Sequence, residues 1–261
     1  MLKRVYCFPL FFTLLTTVTP LTPARYPITQ EAQSREVVFY HNRGEGHFKE
    51  GKYQEALEDF RQALRLDPNF MASRFLLGDT YSALGQFEEA VRVYSQLIRD
   101  YPKLPPPYFN RSYAYLMIGD GNSAAADAQT CLNMIGWRND RSQYMVLVAH
   151  FGHRRGGGAA EATRVLEDAA TKCDNKRWPY PLIRYLRREL TAQDLLKSAS
   201  DNQKMTEARA YLGMDLLLSG RPQEAMEHFE WVQTNGQKTY LEYRLSLAEI
   251  DRARKAGVKS K

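Results

Sequence analysis

The fold is decided by two stretches of equal length, GKYQEALEDFRQALRLDP at residues 51–68 and GQFEEAVRVYSQLIRDYP at residues 85–102. Each begins with a glycine and ends with a proline. Between these ends, apolar residues recur every three or four positions, which is the pattern of an amphipathic helix. A glycine favours the turn before such a helix, and a proline ends it. The two stretches therefore predict two copies of one helical unit.

The copies belong to a longer repeat with a period of 34 residues. Five columns follow this period: Gly44, Gly78 and Ser112; Gly51, Gly85 and Gly119; Ala56, Ala90 and Ala124; Ala63, Leu97 and Cys131; Pro68, Pro102 and Gly136. A period of this size indicates a solenoid of helical hairpins. Small residues let the two helices of a hairpin approach closely, and the glycine of the second column ends the first helix. Gly121 replaces the aromatic residues Tyr53 and Phe87 of the earlier units, so we expect it to weaken the third turn.

We predict an all-α protein, a solenoid of about five helical hairpins with an irregular helical insert and a C-terminal capping helix. Beyond residue 136 the repeat degrades and then returns in TEARAYLGMDLLLSGRPQEAMEHFEWV. Thr191 and Asp194 form a capping box that opens the second helix of the insert. The expected segments are a signal peptide (1–24), an N-terminal extension (25–36), three tandem units (37–136), a degenerate fourth hairpin (137–173), the insert (174–204), the fifth hairpin and capping helix (205–254) and a basic tail (255–261).

The first 24 residues are typical of a secretory signal peptide. Lys3 and Arg4 precede a run of 14 mostly apolar residues, VYCFPLFFTLLTTV, which is followed by small residues up to Ala24. The run is shorter than the roughly 20 apolar residues of a membrane-spanning helix. We therefore expect an exported protein, periplasmic or secreted, without an integral membrane span in the mature chain. Cleavage of the signal and its retention as a tether both remain open.

The composition argues against several classes of function. The net charge of +6 comes from the two termini, and residues 5–250 carry 29 basic and 29 acidic groups, so no nucleic-acid partner is expected. GHFKEGKY at 46–53 resembles a phosphate-binding loop but lacks the Ser or Thr that would hold magnesium. His150 and His153 lack further ligands for a metal. We expect no catalytic residues, no metal site and no cofactor.

The three regular units resemble tetratricopeptide repeats over residues 37–136. In that family, partners bind on the concave face lined by the first helix of each hairpin. The resemblance implies these partner-binding residues for a protein or peptide: His41, Asn42, Glu45, Phe75, Leu76, Asp79, Phe109, Asn110, Tyr113 and Met117. The family's groove for a C-terminal carboxylate uses basic residues and asparagines. Here His41, Glu45, Leu76, Pro106 and Asn110 stand at those positions, so the floor favours an apolar peptide or helix instead.

From Trp178 onward, the order of features resembles bacterial periplasmic tetratricopeptide proteins of the new lipoprotein I type. The matching features are Tyr185 and Leu186, Leu195 and Leu196, TEARAYLG, and a closing EYRLSLAE. The resemblance implies a non-enzymatic and dimeric adaptor that brings cell-envelope hydrolases to a protease. The lipid-bearing cysteine of that family is missing here, so anchoring by lipid is not implied.

Several alternatives stay open at the level of sequence. The chain could act on cell-wall polymer through Trp178, His150 and nearby arginines, or be an intracellular co-chaperone if the signal is misread. Residues 137–190 carry eleven basic and six acidic groups, which would suit an acidic partner. Cys131 and Cys173 could pair in an oxidising compartment. Residues 25–36 could cover part of the concave floor.

Overall fold

The chain is built from α-helices joined by short turns, and the computed structural model, which describes residues 30–258, contains no strand in that range. The predicted all-α fold is confirmed. The predicted signal peptide (1–24), residues 25–29 and residues 259–261 lie outside the described residues. Within residues 30–258, no helix combines the length and the apolar character needed to cross a membrane.

The three regular units form three helical hairpins. Their helices are α1 (Gln30–Lys49) and α2 (Tyr53–Leu66), α3 (Met71–Ala83) and α4 (Phe87–Asp100), and α5 (Pro105–Ile118) and α6 (Gly121–Ile135). The glycines of the second column, Gly51, Gly85 and Gly119, have φ values of 76°, 74° and 90°. This left-handed conformation ends the first helix of each hairpin, as the spacing predicts.

The remaining helices continue the array with one interruption. They are α7 (Ser142–Arg155) and α8 (Ala159–Lys172), the short α9 (Tyr180–Leu186) and α10 (Ala192–Ser198), α11 (Asn202–Leu218) and α12 (Pro222–Asn235), and finally α13 (Leu241–Lys255). The Thr191 hydroxyl accepts a hydrogen bond from the Asp194 amide at 3.1 Å, which confirms the predicted cap of α10.

Small residues mark the places where helices approach most closely. A Cβ at Gly78 would lie 2.6 Å from the Tyr94 ring, so this position of the first column needs a residue without a side chain. Gly121 has a different role from the one expected. It lies against Gly152 of α7, where a Cβ would be 2.5 Å from a backbone oxygen, and Asp120 caps α6 through the Ser123 amide. Gly121 thus allows two hairpins to touch backbone to backbone.

The array closes on itself. The predicted capping helix α13 packs on α11 and α12, but it also contacts α5, and α11 contacts α7. The described residues accordingly form two hydrophobic cores. A smaller core fills α1–α4 around Phe60 and Tyr94, and a larger one joins α5–α13 around Phe151, Tyr211 and Phe229.

Candidate protein-binding groove

The first part of the concave face is an open, mostly apolar groove between α1, α3 and the start of α5. We call it the apolar groove. It has a volume of about 340 Å³ and is lined by His41, Glu45, Met71, Ala72, Phe75, Leu76, Leu104 and Pro106. Met71 at its edge is 42% exposed. Four of the predicted binding residues, His41, Glu45, Phe75 and Leu76, are brought together here.

The two titratable residues of the apolar groove are held by neighbours. His41 Nδ1 and Ser73 Oγ share a hydrogen bond of 3.0 Å, and burial lowers the pKa of His41, so the imidazole is neutral at pH 7. Lys49 lies 2.7 Å from Glu45 and lowers the pKa of that carboxyl by its hydrogen bond. The groove therefore offers an apolar surface with one compensated charge at its rim.

The second part of the concave face is deeper and more polar. We call it the aromatic–acidic cavity. Its volume is about 550 Å³ and its lining is Phe75, Asp79, Phe109, Asn110, Tyr113, Arg141, Tyr144, Glu207, Tyr240, Leu241 and Glu242. Phe75 belongs to both linings, so the two parts are continuous. Among the predicted residues, Asp79, Phe109, Asn110 and Tyr113 line this cavity, whereas Asn42 is exposed on α1 and lines neither part.

Tyr113 and Met117 are buried, so they do not lie on an open floor as the register predicts, although Tyr113 still lines the cavity. Tyr113 is 1% exposed and Met117 is 3% exposed. The Tyr113 hydroxyl donates to Glu242 of α13 at 3.0 Å, and Arg252 of the same helix donates to the Met117 carbonyl at 2.6 Å. α13 therefore covers this part of the floor. Of residues 25–36, which could also cover the floor, residues 30–36 form the start of α1 and residues 25–29 lie outside the described residues.

Asp79 lies at the junction between the two parts. Its Oδ1 accepts hydrogen bonds from the Tyr94 hydroxyl at 2.5 Å and from the Asn110 amide at 2.6 Å. Burial is the largest influence on Asp79 and raises the pKa of its carboxyl. The two donors fix the orientation of the carboxylate, but both are neutral, and the positive charges that act on Asp79 come from Arg244 and Arg141.

Glu207 and Glu242 are functional candidates that the sequence analysis missed. Glu242 accepts from the hydroxyls of Tyr113 and Tyr211, at 3.0 and 2.9 Å. Glu207 accepts from the Tyr144 hydroxyl at 3.1 Å and from the Trp178 indole at 2.6 Å. Burial, and then the nearby charge of Glu242, raise the pKa of Glu207 to about 8.

A signal for Glu207 was present in the sequence. Glu207, Tyr211 and Asp215 follow one another at four-residue intervals in α11, so they share one face of that helix. The neighbouring residues of α11 are mostly apolar and indicate a buried helix. A polar stripe on a buried helix indicates side chains that meet partners inside the fold.

Part of the basic stretch 137–190 is paired with acids elsewhere in the fold. Arg154 pairs with Asp215 at 2.5 Å, and Arg155 pairs with Glu249 at 2.7 Å while donating to the Leu116 carbonyl. The arginines of RRGGG thus connect α7 to α11, α13 and α5. These two arginines therefore serve packing between elements.

The residues of the hydrolase alternative are engaged with different helices. His150 Nδ1 donates to the Ala162 carbonyl of α8 at 2.9 Å, and burial lowers the pKa of His150 to about 4. Trp178 donates to Glu207 of α11. The structure does not bring His150 and Trp178 into one site with the arginines. Cys131 and Cys173 are both free, and burial raises the pKa of each thiol to about 11.

Comparisons with known proteins support this architecture. The tetratricopeptide repeat family model matches residues 47–110. A search among curated proteins found no match. Among solved structures, a tetratricopeptide repeat protein from Parabacteroides merdae is 19% identical, with 86% of this chain and 91% of that chain covered and a TM-score of 0.51. The MamA protein is 14% identical, with 87% and 99% covered and a TM-score of 0.50. At these identities the likeness concerns the fold, an all-α helical-repeat array.

Proposed function

We propose that the chain is a binding scaffold without catalytic activity, which holds a protein or peptide partner on its concave face. The carrying observation is the apolar groove. Phe75, Leu76 and Met71 form an apolar floor that the described chain leaves open. Proteins seldom leave such concave apolar surfaces without a ligand, and helices or extended peptides with regularly spaced apolar residues fit them. The tetratricopeptide repeats of residues 47–110 support a role in protein–protein interaction.

Methionine substitutions test this proposal with a matched control. Met71 on the groove edge is 42% exposed, and Met134 at the end of α6 is 39% exposed and lines no part of the concave face. We expect Met71→Glu to weaken partner binding at least about tenfold, because it puts a charge against an apolar ligand. Met134→Glu should have no effect.

The measurement has two steps. The full chain is first used as bait in an envelope extract to identify a partner, and a purified fragment of that partner is then titrated by calorimetry. Equal affinity for the two variants would remove the groove as the binding site. Turnover of purified cell-wall polymer by the full chain would contradict a scaffold without catalysis.

We further propose that the scaffold is exported and acts on cell-envelope proteins such as hydrolases or proteases. Support comes from the pattern of residues 1–24 and from the resemblance to periplasmic adaptors after Trp178. Cell fractionation with N-terminal sequencing tests export: a mature chain starting near Arg25 supports it, and an intact chain confined to the cytosol contradicts it. A homodimer remains a prediction, which light scattering on the purified protein tests.

A further inference from the structure

Buried carboxylates in the described chain fall into two groups. Four have an arginine partner: Asp59 with Arg43, Asp127 with Arg111, Asp215 with Arg154 and Arg188, and Glu249 with Arg155 and Arg252. Glu207 and Glu242 are 4% and 3% exposed, and within residues 30–258 neither has a basic nitrogen within 4.0 Å. Both unpaired carboxylates line the aromatic–acidic cavity. Among the buried acids of residues 30–258, the two that lack an ion pair are thus both at this cavity.

Neutral donors hold the carboxylates of the cavity in place. Phenol hydroxyls and an indole bind Glu207 and Glu242, and a phenol and an amide bind Asp79. Such donors orient a carboxylate without cancelling its charge, and a buried charge without a counterion is costly. Burial raises the pKa of Asp79, Glu207 and Glu242, because the charged form of each carboxyl loses contact with water.

The mouth of the cavity already holds a guanidinium against an aromatic ring. The Arg141 guanidinium carbon lies 5.2 Å from the centre of the Phe109 ring, within range of a cation–π interaction. Both residues line the cavity, and Arg141 is itself exposed. This contact is independent of the carboxylates, and it shows that the aromatic wall accepts the chemical group that the carboxylates lack.

We propose that the aromatic–acidic cavity binds a basic side chain, arginine or lysine, of the partner whose apolar residue occupies the adjoining groove. The site rests on the proposed function because Phe75 joins the two linings. Glu207 and Glu242 supply charge and hydrogen-bond acceptors for the cation, and Tyr144 packs against its apolar stem. The chemistry selects a partner segment with an apolar residue followed or preceded by a basic one.

A titration with a minimal probe tests the site without a known partner. N-acetyl-arginine amide is added to the full chain and followed by NMR, with N-acetyl-citrulline amide as the uncharged analogue of the same shape. We expect saturable shifts with arginine and at least about tenfold weaker binding of citrulline. No saturation with arginine, or equal binding of the two compounds, would overturn the inference.

Charge-removing variants locate the binding. Glu242→Gln and Glu207→Gln keep a hydrogen-bond acceptor for their phenol and indole donors, and each should weaken arginine binding at least about tenfold. Glu167→Gln is the control, because Glu167 is 57% exposed on α8 and outside the cavity. Unchanged affinity in both cavity variants, with folding verified by circular dichroism, would contradict the site.

The outcomes separate this inference from the proposed function. Met71→Glu should abolish partner binding and leave the arginine probe unaffected. If the arginine probe binds in a charge-dependent way but no partner loses affinity in Met71→Glu, the cavity proposal is supported and the scaffold proposal is contradicted. If a partner binds through the apolar groove with equal affinity to the wild type and to Glu242→Gln, the scaffold proposal is supported and the cavity proposal is overturned.

Discussion

The first two hairpins and the rest of the chain use the same helical unit but are held together differently. In α1–α4 the sequence repeats with a strict period, and the helices pack mainly on their neighbours along the chain. In α5–α13 the pattern degrades after residue 136, and the Tyr113 hydroxyl bonds to residues 98 and 129 positions away. The comparison teaches that regular repeats leave a concave surface open, whereas departures from the repeat supply the residues that close it.

The most disruptive test of this comparison is removal of Glu249. Its carboxylate is fully buried and lies 2.7 Å from Arg155 and 2.6 Å from Arg252. Glu249→Ala would leave two arginines without their partner at the closure, at a cost of about 3–5 kcal/mol in the free energy of unfolding. Urea denaturation measures it. Glu58→Ala in α2, whose exposed pair with Arg61 spans 3.7 Å, should change stability by less than about 1 kcal/mol.

An alanine at Gly152 tests the backbone contact between the third and fourth hairpins. Its Cβ would lie 2.7 Å from the Gly121 oxygen and 2.8 Å from the Ala125 nitrogen. Backbone atoms cannot yield, so we expect a loss of about 1–3 kcal/mol. Gly78→Ala meets only the Tyr94 ring and should cost less. Gly46→Ala, with no atom within 4 Å, should be neutral or slightly stabilising.

Thermal unfolding of the three variants, Gly152→Ala, Gly78→Ala and Gly46→Ala, measures whether their losses of stability follow this order. A Gly152→Ala protein as stable as the wild type would show that α6 and α7 can separate without loss, and would remove the backbone contact as a cause of closure.

The sequence predicted the regular half of the molecule in detail and the closure hardly at all. The period of 34 placed the turns at Gly51, Gly85 and Gly119, because a glycine in a turn is a local requirement. The contact of α13 with α5 depends on the accumulated curvature of several hairpins, which no local pattern encodes. Tyr113 was therefore assigned to the open floor, although α13 covers it.

The candidate site divides in the same way. His41, Glu45, Phe75 and Leu76 were found because the register of a repeat determines which face a residue occupies. Glu207 and Glu242 come from α11 and α13, beyond the regular units. An ion-pair pattern with a spacing of 16 residues was also overlooked: Arg43 and Asp59 recur as Arg111 and Asp127, two periods later, and each pair forms in the structure.

The pH dependence of stability sharpens the comparison, because the cavity acids belong to the closed half. Glu207 has a pKa raised to about 8 by burial, by Glu242 and by Asp201, against the favourable bonds from Trp178 and Tyr144. The folded state then binds more protons than the unfolded state between pH 4.5 and 8. The Glu207 contribution is present below about pH 4.5 and is lost as the pH rises through 8.

We expect Glu207→Gln to flatten this decline, whose slope for one proton is at most about 1.4 kcal/mol per pH unit. Denaturation midpoints between pH 5 and 9 measure it. The same slope in the variant and in the wild type would assign the decline to other groups. Glu167→Gln, on the exposed face of α8, should leave the slope unchanged.

The smallest expected effect is replacement of the first ion pair by the apolar pair of the second unit. Leu77 and Val93 occupy the positions of Arg43 and Asp59 one period later and are both buried. Arg43→Leu combined with Asp59→Val should change stability little, since apolar residues can replace an ion pair of which only the carboxylate is buried. Arg43→Leu alone should cost more, because it leaves Asp59 without its arginine. Additive effects in a double-mutant cycle would contradict coupling of the two residues.

The contact between α13 and α5 makes the two parts of the molecule differ in stiffness. In a helical array each hairpin contacts mainly its neighbours along the chain, so the array can bend, and α1–α4 keep this arrangement. From α5 onward, hydrogen bonds among Tyr113, Tyr211 and Glu242 join α5 to α11 and α13 and oppose bending. A ligand bound across Phe75 would contact both the bendable part, α1–α4, and the closed part, α5–α13. The closed part would fix the position of the ligand's charged end, and the residence time of the ligand would depend on how far the first two hairpins move about the junction between α4 and α5.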